Sequence, residues 1–366
     1  WPWWDKQMNK PLQKVDRHDL ALIAKGSAIL GAGGGGDPYI GRLMVQQILG
    51  EQHSVDVVQI DDLHNDALIL PIAMMGAPQV TQEKFPSGKE IPKLIEMMER
   101  LLQQKVEAIL CIEAGGLNST IPFIAAAQMG LPIVDADAMG RAFPELQMVT
   151  LTLGGMDATP MAIVDDKGNA ATVEAISNVW SEKIARALTI EMGGGAMVSL
   201  YPIIAGPSAP YLIKGSLSMA HRMGQILDAN GGATAHILAE AYNGLVLFTG
   251  RVRDVERRSD GGFTRGELIL EGHEQFVGKK LNLSFQNEFL AARIDHEYVA
   301  TTPDLITLLD ANTGVPVTTE LVKYGLSVNV LGLPCAPIWQ SNEAIEIVGP
   351  RYFGIDADYQ PLYRDR

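Results

Sequence analysis

Apolar positions follow two regimes along the chain. Up to about residue 244, short and densely apolar runs alternate with stretches whose apolar residues recur every three to four positions. Arg17–Leu30 has helical spacing and an Ala-rich composition, and Tyr39–Leu49 reads as a second helix. Ser54–Ile60 and Asp66–Gly76 read as strands, the second covered on both faces because its apolar run is continuous. It leads into the loop Met75-Gly76-Ala77-Pro78. Ile91–Gln104 is amphipathic, with Leu94, Ile95, Met98, Leu101 and Leu102 on one face. A buried strand from Ala108 to Ile112 stops at Glu113, Ile121–Met129 is helical, and Leu131–Val134 is another buried strand running into Asp135 and Asp137. Strand, helix, strand at this spacing predicts right-handed crossovers, hence a mainly parallel sheet.

Met161–Val164 and Ala170–Val173 then read as a hairpin, and Val179–Met192 as a helix ended by Gly193-Gly194-Gly195. A strand over Ala196–Ile203 and helices over Ser216–Ala229 and Ala233–Tyr242 complete the first regime. In the second, short strands follow at even spacing: Leu245–Val252, Gly266–Glu271, Leu281–Glu288, Tyr298–Ala300, Leu305–Leu308, Ser327–Leu331 and Ala344–Val348. The first two are joined by a turn at Asp260-Gly261-Gly262. The expected fold is an α/β domain over residues 1–244, with a mainly parallel sheet, and an all-β domain over 245–366.

Glycine fills five of the six positions Gly31-Ala32-Gly33-Gly34-Gly35-Gly36, a density that excludes a helix or strand interior. Asp37 and Pro38 follow as N-cap and first residue of the next helix. Free N–H groups beside a helix N-terminus suit an anion. Gly33, Gly34, Gly35, Gly36 and Asp37 are therefore candidate ligand contacts, against the alternative of a helix–helix turn. A dinucleotide fingerprint needs a strand before the glycines; here a helix precedes them, and no nucleotide cofactor is expected.

Length sharpens the two-domain reading, since 366 residues exceed what one core usually holds. The net charge of −14, without Lys and Arg clusters interleaved with aromatics, argues against nucleic acid. Apolar runs such as Ala67–Ala77 are too short to span a bilayer, and Trp1-Pro2-Trp3-Trp4 is no targeting signal. Cys111 and Cys335 make no disulfide framework. A soluble cytoplasmic protein, with no membrane partner, is expected. The histidines are dispersed, and HExxH, CxxC and G-x-S-x-G are absent from the sequence.

Chemistry therefore falls to the acids. Glu113, Asp135 and Asp137 stand where apolar strands stop, and open parallel sheets gather ligands at such ends. A carboxylate at the end of a buried strand must be paired, hydrated or functional. Asp135 and Asp137 could equally cap the following turn. Together these acids could divide acid and base roles or hold a divalent metal. Met75, Gly76, Asn118 and Arg141 are the neighbouring candidates for substrate contact.

The strings Leu30–Tyr39, Met74–Pro78, Glu113–Ser119 and Asp135–Met148 resemble the S-methyl-thiohydantoin desulfurase-like family (DUF917). Phe285–Glu288, Thr302–Leu305, Gly332–Pro334 and Gly349–Arg351 are similar too, so the likeness runs from about Asp19 to Leu362. One departure is Ala32, where the family often has Thr. The resemblance implies an α/β part followed by a β-rich part, and a hydrolase of hydantoin metabolism. Its substrate would be a small ring whose S-methyl group is replaced by water. It also implies association with hydantoinase/oxoprolinase-like proteins; a homo-oligomer is a separate candidate that the sequence leaves open. The alternative is a non-catalytic ligand-binding or regulatory partner of such an enzyme; a nucleotide-binding protein is a weaker third reading. The reaction needs a base for water, a proton donor for a ring nitrogen and N–H groups for oxygens that gain charge. Glu113, Asp135 and Asp137 are the expected reacting acids, with Gly33–Gly36 and Arg141 holding the ring oxygen or a substrate carboxylate.

Overall fold

A computed structural model describes residues 11–49, 54–76, 88–260 and 263–362. The Trp1–Trp4 opening, the Ala77-Pro78 end of its loop and Gly261-Gly262 lie outside the described residues.

The first helix, Arg17–Leu30, begins where the sequence supplies a reciprocal cap: Asp16 accepts from the His18 and Asp19 amides at 2.7 and 2.9 Å, and Asp19 accepts from the Asp16 amide at 3.2 Å. It packs on the helix Ser216–Asn230 with almost no side chain between them. A Cβ on Gly26 would stand 1.8 Å from the Ala220 carbonyl oxygen, and one on Gly224 would stand 2.0 Å from that of Leu22. The glycine run follows, then the helix Pro38–Leu49.

The N-terminal sheet runs in the order Lys14–Val15, Val55–Val58, Ile133–Val134, Val106–Cys111, Leu68–Gly76, Gly195–Ser199, Met161–Val164 and Ala170–Val173, with Ile203–Ile204 pairing beside Leu68–Gly76. Parallel pairing is confined to the block from Val55–Val58 to Leu68–Gly76. Gly195–Ser199 and the hairpin 161–173 join it antiparallel, so the sheet is mixed where a mainly parallel one was expected. The βαβ rhythm behind that expectation ends at Val134. Apolar side chains cover both faces, including Leu70, Ile109 and Phe123 in one cluster and Ile69, Leu110 and Val198 in the other.

The C-terminal sheet has eight strands, all antiparallel, in the order Glu297–Thr301, Glu288–Ile294, Lys280–Gln286, Phe263–Gly272, Leu245–Asp260, Ser327–Leu333, Leu305–Asp310 and Pro316–Val317. Two expectations change here. The strand read through Glu288 instead reverses at Asn287, whose φ of +57° makes the corner. Ala344–Val348 belongs to a helix, Asn342–Val348, because Ser341 caps it by accepting from the Ala344 amide at 3.2 Å and the buried Ala344 and Val348 share a helical face. Among the described residues no helix is long and apolar enough to cross a membrane.

The sheets are joined by backbone hydrogen bonds at the glycine run: the Phe289 amide donates to the Ala32 carbonyl and the Thr319 amide to the Gly33 carbonyl, each at 2.8 Å.

Candidate functional site

Where the glycine run meets the ends of Leu68–Gly76 and Val106–Cys111, the structure holds a cavity of about 130 Å³. Its walls include Gly35, Gly36, Met75, Gly76, Glu113 and Asn118 from the N-terminal part and Asn287 and Glu288 from the C-terminal sheet.

Glu113 arrives two residues beyond the buried strand Val106–Cys111. The chain then turns through Gly115 and Gly116, which lie directly on the glycine run: a Cβ on Gly116 would stand 2.3 Å from the Gly35 carbonyl oxygen. The Leu117 amide donates to that same oxygen at 2.8 Å. Two glycine-rich segments thus form one wall, backbone against backbone. Asn118 fixes the acid. Its Oδ1 accepts from the Met74 amide at 2.7 Å, and its Nδ2 donates to Glu113 Oε1 at 2.8 Å. Glu113 Oε2 is buried without a partner. Burial pushes the Glu113 carboxyl up to about 8; the Asn118 hydrogen bond opposes this and the Asp137 charge adds to it.

Glu288 comes from the corner at Asn287. Thr264 and Asn287 hold that corner: the Asn287 amide donates to the Thr264 carbonyl at 2.7 Å, and the Thr264 amide donates to Asn287 Oδ1 at 2.9 Å. The Glu288 carboxyl lies against the glycine run, where a Cβ on Gly34 would stand 2.1 Å from Oε1. The Gly35 N–H acts on it as a donor, yet Oε2 has no partner. Burial lifts this carboxyl to about 8, and the neighbouring Glu113 charge pushes it further while Arg141 pulls the other way. Two buried carboxyl groups from different sheets, each with one unpartnered oxygen, therefore wall the same small space.

The other expected acids lie elsewhere. Asp135 accepts from the Leu217 and Ser218 amides at 3.0 and 3.1 Å and from the Ser218 hydroxyl at 2.5 Å, so it caps the helix Ser216–Asn230. Asp137 accepts from the Ala114 and Gly140 amides at 2.9 and 2.8 Å and from the Ser216 hydroxyl at 2.6 Å. Burial raises it to about 6 against those bonds. Neither lines the cavity. The structure does not bring Asp135 and Asp137 to the cavity beside Glu113; their carboxyls tie the Glu113 loop and the 216–230 helix to the strand.

Arg141 also lies away from the cavity. It is buried outside the cavity, donating through Nε to the Ala142 carbonyl at 3.0 Å, through Nη1 to that of Asp304 at 2.6 Å and through Nη2 to that of Phe289 at 3.1 Å. Those bonds fasten the two parts together. Within the glycine run, Gly35 and Gly36 reach the cavity, whereas Gly33 lies under the Phe289 ring and Gly34 under Glu288. Asp37 caps its helix by accepting from the Tyr39 amide at 2.9 Å. Of the N–H groups read as an anion site, that of Gly35 acts on the Glu288 carboxyl, and that of Gly34 donates to the Gly31 carbonyl at 2.8 Å.

Glu288 does not stand out in the sequence because it closes an apparent strand, Leu281–Glu288; the visible signal is Asn287, a residue tolerant of positive φ. Glu145 and the Glu182–Arg186 ion pair also line the cavity. Glu145 accepts from the Tyr352 hydroxyl at 2.9 Å and from Gln147 Nε2 at 2.5 Å. Among the described residues no group of three or more His, Cys, Asp or Glu is arranged to hold a metal ion.

Two family models match the chain, the S-Me-THD-like N-terminal domain over residues 18–175 and the S-Me-THD-like C-terminal domain over 176–362. An X-ray structure of a protein from Chromobacterium violaceum, a structural-genomics target, is similar with a TM-score of 0.80 and 23% identity, covering 96% of this chain and 100% of that one. At that identity the likeness concerns the fold. No curated protein matches the chain.

Proposed function

The chain belongs to the S-Me-THD-like family, and from that premise we propose that it hydrolyses a small S-methyl-thiohydantoin-type ring, releasing methanethiol and leaving the hydantoin. The observation that carries this reading is the pair of unpartnered carboxyl oxygens, Glu113 Oε2 and Glu288 Oε2, on one cavity. At about 130 Å³ the cavity is smaller than the roughly 300–1,000 Å³ of drug-sized sites, which favours a small ring.

The ring carbon under attack bears sulfur and lies between two nitrogens. Glu113, held by the Asn118 donor, takes a proton from water as its oxygen bonds to that carbon. Glu288, whose proton is retained beside the Glu113 charge, protonates the ring nitrogen. The resulting adduct carries hydroxyl and methylthio on one carbon. It collapses to the carbonyl as the Glu288 carboxylate takes the hydroxyl proton, the C–S bond breaks and the departing thiolate takes the proton held by Glu113, which returns both carboxyls to their starting states. One water is consumed and one methanethiol leaves. Met74, Met75, Ile112 and Phe143 offer an apolar wall for the methylthio group.

The test is incubation of purified protein with S-methyl-thiohydantoins and detection of released methanethiol by a thiol reagent. Stoichiometric binding without any release would make the protein a ligand-binding partner instead of an enzyme.

A further inference from the structure

Among the described residues the Arg141 guanidinium donates to three backbone carbonyls, those of Ala142, Phe289 and Asp304, and to no carboxylate. Carbonyl oxygens satisfy its N–H groups and leave its charge without a counterion in contact. A charge held out of water is costly unless an opposite charge lies near. Position identifies that charge. The guanidinium lies over the Phe143 ring, 4.8 Å from its centroid, and Phe143 walls the cavity that Glu113 and Glu288 share. Arg141 thus stands one side chain behind the reacting space.

Two acids adjoin its contacts. Asp304, whose carbonyl it binds, has an engaged carboxylate: Oδ1 accepts from the Cys335 amide at 2.8 Å and the Tyr359 hydroxyl at 3.1 Å, and Oδ2 from the Leu362 amide at 2.8 Å. Glu288 precedes Phe289, and its Oε2 has no partner. Burial lowers Arg141 to about 10, and Glu288 counters this ahead of Asp304. The same arginine fixes the backbone there. The Phe289 carbonyl accepts from Arg141 Nη2 at 3.1 Å, while the Phe289 amide is held on Ala32. On the other side of the acid, the Asn287 carbonyl accepts from the Thr319 hydroxyl at 2.8 Å. Glu288 therefore sits between two anchored peptide groups.

Building on the proposed ring hydrolysis, we propose that Arg141 is a positioning residue for Glu288: it pins the backbone beside the acid and supplies the buried positive charge against which the Glu288 carboxylate forms when its proton passes to the ring nitrogen. Glu113 and Arg141 act on that carboxyl in opposite senses. Glu113 keeps the proton on before attack. Arg141 lowers the cost of the anion afterwards, until the anion takes the hydroxyl proton of the adduct. Glu145 and the Glu182–Arg186 pair are the other charged groups that line the cavity among the described residues.

The experiment follows the Glu288 carboxyl itself by infrared titration, with Glu288→Gln identifying its band, and needs no substrate. Arg141→Met removes the charge, and the Glu288 titration should move up by about one pH unit or more. Thr319→Val removes the anchor on the other side of Glu288 without touching any charge; it should lower Tm and leave the titration in place. With substrate, Arg141→Met should lose kcat about tenfold or more with KM changed less than about threefold, because the arginine touches no substrate. The alkaline limb of kcat/KM should move up with the titration. A titration that stays put in Arg141→Met, or moves equally in Thr319→Val, overturns the inference and leaves the hydrolysis standing. The native chain alone can also overturn it: a Glu288 band still that of the protonated acid at about pH 10 means that the cation gives this carboxyl nothing. An upward shift confined to Arg141→Met, with no methanethiol from the native chain, upholds the coupling to Glu288 and overturns the hydrolysis.

Discussion

Replacing Glu288 by Gln tests the cavity's chemistry and its thermodynamics in one protein. In the native chain this carboxyl is raised to about 8 from an ordinary 4.5, chiefly by burial. The folded state therefore holds a proton that the unfolded state has released, and stability falls as pH rises through that window. It is fully present below about 4.5 and lost as pH passes about 8. For one group the loss between pH 6 and 8 comes to about 2 kcal/mol, near the limiting slope of about 1.4 kcal/mol per pH unit. With an unfolding entropy of about 2.1 cal/mol/K per residue, that corresponds to about 2–3 °C in Tm over 366 residues. Glu288→Gln keeps the shape and removes the titration. Calorimetric scans from pH 6 to 9 should show a flatter Tm profile for the variant and a higher Tm than the native chain at pH 8–9. In parallel, methanethiol release should drop by about 10²–10⁴, the usual cost of losing a general acid or base. A variant with native turnover and an unchanged pH dependence of Tm would refute both the burial argument and the proton-donor role.

Glu113→Gln should lose turnover by a similar factor of about 10²–10⁴ while folding normally, checked by kinetics and circular dichroism on the same sample. Since both carboxyls are raised to about 8, kcat/KM of the native enzyme should follow a bell centred near pH 8, measured across pH 5–10; a maximum below pH 6 contradicts the assignment. Asp135→Asn, which weakens a helix cap away from the cavity, should lower stability by about 1–2 kcal/mol in denaturant titration and leave turnover per folded molecule unaltered. Gly26→Ala should destabilise by about 1–3 kcal/mol or more, because its methyl group meets the Ala220 backbone.

Local patterning carried most of the fold. The helix Arg17–Leu30, the buried strands over 68–76 and 106–111 and the hairpin 161–173 each follow from spacing and turn residues within one short stretch. What the pattern could not hold was strand direction beyond Val134: antiparallel entry of Gly195–Ser199 is decided by how distant segments dock. The candidate site divides along the same line. Glu113 was visible because a carboxylate at the end of an apolar strand stands out, and Asn118, Gly35 and Gly36 lie near it. Asp135 and Asp137 looked equally conspicuous, but their donors come partly from the helix Ser216–Asn230, about eighty residues away. Glu288 was obscured by the alternation around it. The glycine density had a cause invisible locally, since Gly33 and Gly34 make room for Phe289 and Glu288 of the other sheet.

That last contact has a consequence for the order of events during synthesis. Glu113 leaves the ribosome long before Glu288, which lies on the strand Glu288–Ile294 of the later sheet, reached from Leu245–Asp260 through Phe263–Gly272 and Lys280–Gln286. Until that strand has been made the growing chain carries a partial cavity with one of its two walling carboxyls. On the proposed chemistry, ring hydrolysis requires both carboxyls and therefore cannot precede the strand that carries Glu288.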